Sequence, residues 1–357
     1  MIYEYKEAAS KILEAGNKLL ERGLVARTWG NISARISDKE FLITPSGKAY
    51  EHLTEADLVR VAIKNLAWEG DVKPSSEKAL HAGLYRQRPD VGAIIHTHQS
   101  HASALSVLGK DLDLVRLTRE RGLDGEMLVS YDDVMLLGTE VPCAKYALSS
   151  TKQLASHVIH AASEHPAAKA VLMRKHGAVC MGIGMNEAFT IAETLEDICG
   201  RIYERRCMQK LPSGNDPEAV TQLNTHDPLD ADYNLDPEDA YVVLHVRTPF
   251  VMEMSRRGKS VPSYLDDAAQ LFGKALECVA DVRDADAVLE VAPAVLVSRD
   301  GALCKGTDRY EAEAAAMVLE KNCQAAMIGL KKAAPPVGQL SAAIEHRFYI
   351  RKYAKRR

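Results

Sequence analysis

The chain opens on an amphipathic pattern. Ala8, Ile12, Leu13, Ala15 and Leu19 fall on one broad helical face between residues 3 and 22. That spacing predicts a helix, and Gly23 suits its C-terminal end. Short runs predict strands at Ile32–Arg35, Glu40–Thr44 and Leu58–Ile63. Pro74-Ser75-Ser76-Glu77 carries helix-start chemistry, and the periodic run behind it extends to about Gln87, before Pro89-Asp90 breaks it. Val91–Ile95 has the pattern of a buried strand and runs straight into His96-Thr97-His98. Ser100–Val107 reads as helix, and 109–127 as charged and irregular. Ser149–Ser163 predicts a helix, Ala170–Met173 a strand ending in Lys175-His176-Gly177, and Asn186–Met208 a long helix. Strands and helices interleave without a regular βαβ rhythm. This predicts a three-layer α/β/α domain over 1–211 around a largely antiparallel or mixed sheet.

Pro212–Pro237 is rich in Pro, Asp, Asn and Gly, which marks a linker over 212–240. The segment 241–357 holds an internal repeat. Residues 171–199 overlie 295–323, with twelve identities in twenty-nine ungapped positions. They include Gly177 against Gly301, Glu196 against Glu320 and Cys199 against Cys323. The unit is a strand, a Gly turn and a long helix. Asp300 stands where the first copy has His176, and no HxH precedes it. The second segment therefore reads as a partial, degenerate repeat of the same fold, kept for structure.

Charge and composition narrow the classes. A net charge of −4 gives no basic footprint for nucleic acid. The basic run Arg351–Arg357 reads as a solvated tail. No stretch approaches the roughly 20 apolar residues that span a bilayer. The N-terminus lacks the apolar core of a signal peptide. Seven cysteines without a CxxC pair suit reduced thiols in the cytoplasm.

The chemistry concentrates in a few residues. His96 and His98, two apart on a strand, point to one face, so both imidazoles can reach one cation. His176 also ends a strand, and the following Gly permits a tight turn. Each has a plain structural reading as a hydrogen-bonded strand-end histidine. Together they make a transition-metal set with an open position. Ser75-Ser76-Glu77 can be simple capping, or the hydroxyls and amides of the helix start can hold a phosphate. Glu77 is then a fourth ligand or a base. Gly30–Ser33 and Thr44–Gly47 read as turns, or as a polar nest for the same phosphate.

Five short motifs stand in order: Thr28-Trp29-Gly30-Asn31-Ile32-Ser33, Leu42–Gly47, Lys73–Glu77, Ile95–His98 and His176-Gly177. Jointly they resemble the class II aldolase/adducin family over about residues 5–210, nearest its fuculose-phosphate aldolase branch. The resemblance implies that His96, His98 and His176 bind zinc, with manganese or cobalt as alternatives. It implies a metal-side base in Glu77 and a phosphate pocket of Thr28, Asn31, Ser46, Gly47, Ser75 and Ser76. Tyr131, eleven residues before Pro142, matches the branch's catalytic tyrosine. The implied substrate is a small phosphorylated sugar, cleaved or formed at a C–C bond through an enediolate. A homo-oligomer, such as a tetramer, is implied, with no nucleic-acid or membrane partner. Sugar-acid phosphate decarboxylases, epimerases and other lyases of the family are the alternatives. Epimerases carry Asp at the Glu77 position, and a non-catalytic adducin-like oligomerisation module is the remaining reading.

Overall fold

The structure, a computed structural model, describes residues 1–25, 29–207, 219–223 and 241–352. Two compact units divide the chain, Met1–Gln209 and Lys210–Arg357. In the first, helix α1 (Tyr5–Glu21) precedes an antiparallel meander of β1 (Asn31–Arg35), β2 (Glu40–Ile43) and β3 (Val59–Ala62). There follow α2 (Lys78–Gln87), β4 (Ala93–Thr97), α3 (Ser100–Ser106), β5 (Leu112–Asp113) and α4 (Leu114–Leu117). Then come α5 (Tyr131–Leu137), β6 (Glu140–Val141), β7 (Cys143–Ala144) and α6 (Lys152–Glu164). The unit ends on β8 (Ala170–Met173), β9 (Gly177–Gly182) and α7 (Met185–Cys207).

Seven strands form one sheet in the order β3-β2-β1-β4-β9-β8-β7. Every pair is antiparallel except β7 with β8. The strand period of two sorts its side chains. Ile94, Val179 and Met181 share a core with Leu80, Leu84, Leu154 and Val158, so α2 and α6 cover that face. Helix α7 packs on β4 and β9, and α1 on β1. This is the expected α/β/α arrangement around a mixed sheet. Because His96 and His98 share the parity of Ile94, they turn toward the α2 side.

Helix α2 starts three residues later than its sequence signal. Ser75 is held by its amide to Thr44 O at 3.0 Å, and its hydroxyl accepts from Glu77 N at 3.2 Å. Helix α6 likewise starts at Lys152, because Thr151 caps it through Leu154 N. The segment read as irregular contains β5 and α4. The linker expected over 212–240 lies outside the described residues except 219–223, where β10 (Val220–Gln222) pairs with a later strand.

The second unit continues with β11 (Val242–Val246), α8 (Pro249–Ser255), β12 (Val261–Pro262), α9 (Asp266–Phe272), β13 (Ala275–Leu276) and β14 (Cys278–Val279). It closes with α10 (Ala285–Leu289), β15 (Ala294–Val297), β16 (Gly301–Gly306), α11 (Arg309–Lys331) and α12 (Gln339–Lys352). Its sheet order, β10-β11-β16-β15-β14, matches β1-β4-β9-β8-β7, with β14 and β15 again the parallel pair. Small details recur as well. Lys175 and Arg299 both take positive φ in the hairpin, 64° and 66°. Glu196 accepts the amides of His101 and Ala102 at the start of α3, and Glu320 those of Phe250 and Val251 at the start of α8. The repeat thus extends back to β4 and beyond the sequence match. Among the described residues nothing in the second unit corresponds to α2, β2 or β3.

Candidate metal centre and active site

The end of β4 and the β8–β9 hairpin bring three histidines together. Gly177 makes this approach possible: a Cβ there would lie 2.1 Å from Thr97 O. Gly30, at φ +90°, does the same for the start of β1, where a Cβ would lie 2.5 Å from His96 O. Across the hairpin, Ser106 Oγ accepts from Lys175 N at 2.9 Å and fixes the turn that carries His176.

His96, His98 and His176 are all buried, and a ligand nitrogen from each lies within 4.8 Å of the others. His96 Nδ1 is 2.8 Å from Ala178 O, so it carries the proton and turns a bare Nε2 inward. That Nε2 is 3.1 Å from His98 Nε2 and 3.3 Å from Glu77 Oε2. Glu77 Oε1 lies 3.4 Å from His176 Nε2. The His96 and His176 rings stack at 5.1 Å. Inward nitrogens and a carboxylate so close together can share one cation. The donor set of three imidazoles and a carboxylate therefore fits a divalent transition metal. Burial acts to raise the Glu77 carboxyl, but the His96 imidazole, then His176 and the Asn31 amide, hold it well below the usual range.

The other expected residues divide. Asn31 reaches the site, but its Nδ2 donates to Glu77 Oε2 at 2.8 Å. Ser46 and Ser75 sit on two loops tied by Ser46 N to Lys73 O and Ser75 N to Thr44 O. Gly47 adopts φ +75°, and Ser76 Oγ pairs with Ser150 Oγ at 2.8 Å. A cavity of about 210 Å³ opens beside Glu77, lined also by Ser76, Lys78, Ser150, Thr151 and Lys152. Thr28 lies outside the described residues. Tyr131 stands on a different element from the three histidines and Glu77. It begins α5 and is 72% exposed. Helix α5 is tied to α7 through Arg201 and Asp133, whereas Gln99 bonds Ala192 O on the same helix. The intervening nine residues of α7 put these anchors about 13 Å apart.

Two features escaped the sequence reading. His81, Ser33 and Tyr85 form a buried polar chain behind Asn31, signalled only by the four-residue spacing of Glu77, His81 and Tyr85. Tyr50 is buried, and its hydroxyl has no hydrogen-bond partner among the described residues. Burial first, and then the charge of Glu77, keeps that phenol protonated.

The second unit shows what happens to the same positions without the chemistry. In the paired registers His245 takes the place of His96, and Arg247 and Asp300 those of His98 and His176. Arg247 and Asp300 form an ion pair, and His245 Nε2 lies 2.7 Å from Asp300 O.

Comparisons with known proteins point to one family. The chain is 31% identical over 200 residues to the L-fuculose phosphate aldolase of Escherichia coli, covering 56% of this chain and 84% of that protein. It is 32% identical over 194 residues to the 5-deoxy-D-ribulose 1-phosphate aldolase of Bacillus thuringiensis serovar kurstaki, covering 54% and 82%. A solved L-fuculose 1-phosphate aldolase, 29% identical, covers 59% of this chain and 92% of its own, with a TM-score of 0.49. The family model described as the Class II Aldolase and Adducin N-terminal domain matches residues 10–203, a span that holds all three histidines and Glu77. The chain belongs to the class II aldolase and adducin family, as an enzyme of the aldolase type.

Proposed function

We propose that the chain is a metal-dependent aldolase that cleaves or forms a C–C bond in a small phosphorylated sugar. The observation that carries this reading is the convergence of His96, His98, His176 and Glu77 in one buried cluster. Zinc suits that donor set best. The bound cation would supply positive charge at the carbonyl oxygen, where the cleaved bond leaves its electrons. Glu77 then moves the proton at the reacting carbon, as a carboxylate ionised at neutral pH can. Ser46, Gly47, Ser75, Ser76 and Thr28 hold the phosphate and so orient that carbon. The basic and hydroxylic lining of the adjoining cavity, Lys78 and Lys152 with Ser76 and Ser150, supports an anionic substrate. Asn31, proposed for the same pocket, also donates one N–H to Glu77 Oε2.

Tyr131 exchanges a proton with the aldehyde oxygen, taking it from the hydroxyl in cleavage and returning it in condensation. Its exposure supports a reading in which it serves the site of another copy, the active enzyme then being a homo-oligomer such as a tetramer. Seven cysteines without a CxxC pair support a cytoplasmic setting. The test is bound metal in the wild type and in His96→Ala, with dihydroxyacetone phosphate release from a panel of ketose 1-phosphates. About one zinc per chain, lost in the variant together with release, is the expected result. Metal without cleavage of any ketose phosphate would refute the substrate class.

A further inference from the structure

Helix α2 and strand β1 run side by side with matched spacing. Glu77, His81 and Tyr85 recur every four residues on the helix, about 6 Å per step. Asn31, Ser33 and Arg35 recur every two on the strand, about 6.6 Å per step. The two stripes interlock. Glu77 Oε2 meets Asn31 Nδ2 at 2.8 Å, and Asn31 Oδ1 meets His81 Nε2 at 2.5 Å. His81 Nδ1 meets Ser33 Oγ at 2.7 Å, and Ser33 Oγ meets Tyr85 Oη at 2.8 Å. Arg35 closes the row, donating to Tyr85 O at 2.7 Å. Asn31, Ser33, His81 and Tyr85 are all buried.

The chain has only one consistent polarity. A carboxylate accepts and never donates, so Asn31 must turn its NH2 to Glu77 and its oxygen to His81. His81 must then carry its proton on Nε2 and leave Nδ1 bare. Ser33 donates to Nδ1, and Tyr85 donates to Ser33. Burial in this setting drives the His81 pKa down to about 3, so the ring stays neutral and keeps its acceptor.

We propose that His81 is a positioning residue: through the Asn31 amide it fixes one oxygen of Glu77 and leaves the other to act on substrate. Without His81, Asn31 can rotate its amide and present an oxygen to the carboxylate, which repels it. The neighbouring hydroxyls of Ser33 and Tyr85 follow this polarity, since each can donate or accept, and they hold the imidazole in place at Nδ1. The inference rests on Glu77 working as the base, as proposed above.

The experiment has two arms on the full chain. In the first, 15N-histidine and Asn side-chain NMR are recorded with and without zinc, in the absence of substrate. The expected signals are a neutral His81 protonated at Nε2 from about pH 5 to 9, and an Asn31 NH2 protected from exchange. A His81 protonated at Nδ1, or charged at neutral pH, overturns the proposal. In the second arm, His81→Phe retains the wild-type zinc content and KM within about threefold. Its kcat falls about 10- to 100-fold, the scale of a misplaced catalytic group, and the Asn31 protection disappears. His81→Gln restores a donor to Asn31 and recovers most of kcat. Where His81→Phe does not fold, Ser33→Ala removes the Nδ1 anchor alone, weakens the Asn31 protection and gives a smaller loss of kcat. Unchanged kcat and unchanged Asn31 protection in His81→Phe overturn the proposal. If no ketose phosphate is cleaved by any protein, the first arm still decides on the positioning, and the aldolase reading falls by itself.

Discussion

Replacing Gly177 by alanine tests how the metal centre is assembled. The added Cβ would lie 2.1 Å from Thr97 O, 3.2 Å from Thr97 C and 3.3 Å from His98 Cα. Ordinary contact begins near 3.4 Å, so the hairpin must back away from β4 by about 1.3 Å. Both sides of the clash are backbone, and no rotamer change relieves it. His176, one residue earlier, moves with the hairpin. Zinc–nitrogen bonds of about 2.0–2.1 Å tolerate only about 0.2 Å of error, so the third ligand is lost or the sheet bends to keep it. Overpacking of this kind costs about 1–3 kcal/mol. At about 2–4 °C per kcal/mol for a unit of this size, the apo Tm falls by roughly 2–12 °C. Zinc affinity falls at least 10- to 100-fold, about the penalty for disturbing a ligand's support. Thermal melts of chelated and zinc-loaded protein, with zinc titrated against a chromophoric chelator, read both effects. The zinc-loaded form should lose more Tm than the apo form. Wild-type zinc affinity in a Gly177→Ala protein of native Tm would refute the reasoning.

Other outcomes follow from the same cluster. Glu77→Gln should keep zinc and lose about 10²- to 10⁴-fold in kcat, the usual share of a general base; steady-state kinetics with metal analysis checks this. The depressed Glu77 carboxyl stabilises the fold above its ordinary value of 4.5, and that contribution disappears as pH falls through the lower folded-state value. Acid melts of the metal-free chain should therefore show a smaller stability loss in Glu77→Gln than in the wild type. Glu77→Gln and Tyr131→Phe chains, each deficient alone, should regain activity when unfolded together and co-assembled, because an intact Glu77 in one copy meets an intact Tyr131 from another. Mixing without any recovery would show that Tyr131 serves only its own chain. His245→Ala should leave the zinc content of the whole chain unchanged, measured by elemental analysis.

The parts of the fold that follow from local period were legible in the sequence. Val91–Ile95 and Ala170–Met173 announce buried strands by unbroken apolar runs, and both end at the histidines that matter. The Ser75-Ser76-Glu77 signal gave a helix start, yet the hydrogen bonds of Ser75 delay it to Lys78. Strand β9 was hidden, because Gly177–Gly182 carries glycines at both ends that read as turn. The site was half legible. Histidine identity and spacing point to a metal, but nothing local reveals that Asn31 bonds Glu77. That partnership spans 46 positions and depends on α2 lying along β1. Tyr131 could be aligned by its distance from Pro142, but its exposure is a tertiary fact. The repeat showed the opposite bias. Twelve identities exposed the hairpin and long helix, while β11 and α8 match β4 and α3 in structure with little sequence left in common.

The conserved hairpin of the second unit has a practical consequence for engineering. Arg299 keeps the turn that Lys175 makes in the first, so the path of the backbone to position 300 survived the loss of its histidine. Arg247→His with Asp300→His would restore an imidazole triad with His245 on a frame already shaped for it. Among the described residues none offers that rebuilt centre a counterpart of Glu77, since none of them forms an equivalent of α2. One polypeptide would then carry two imidazole triads on matching frames, so the ion affinity of one could be weighed against the other within the same molecule.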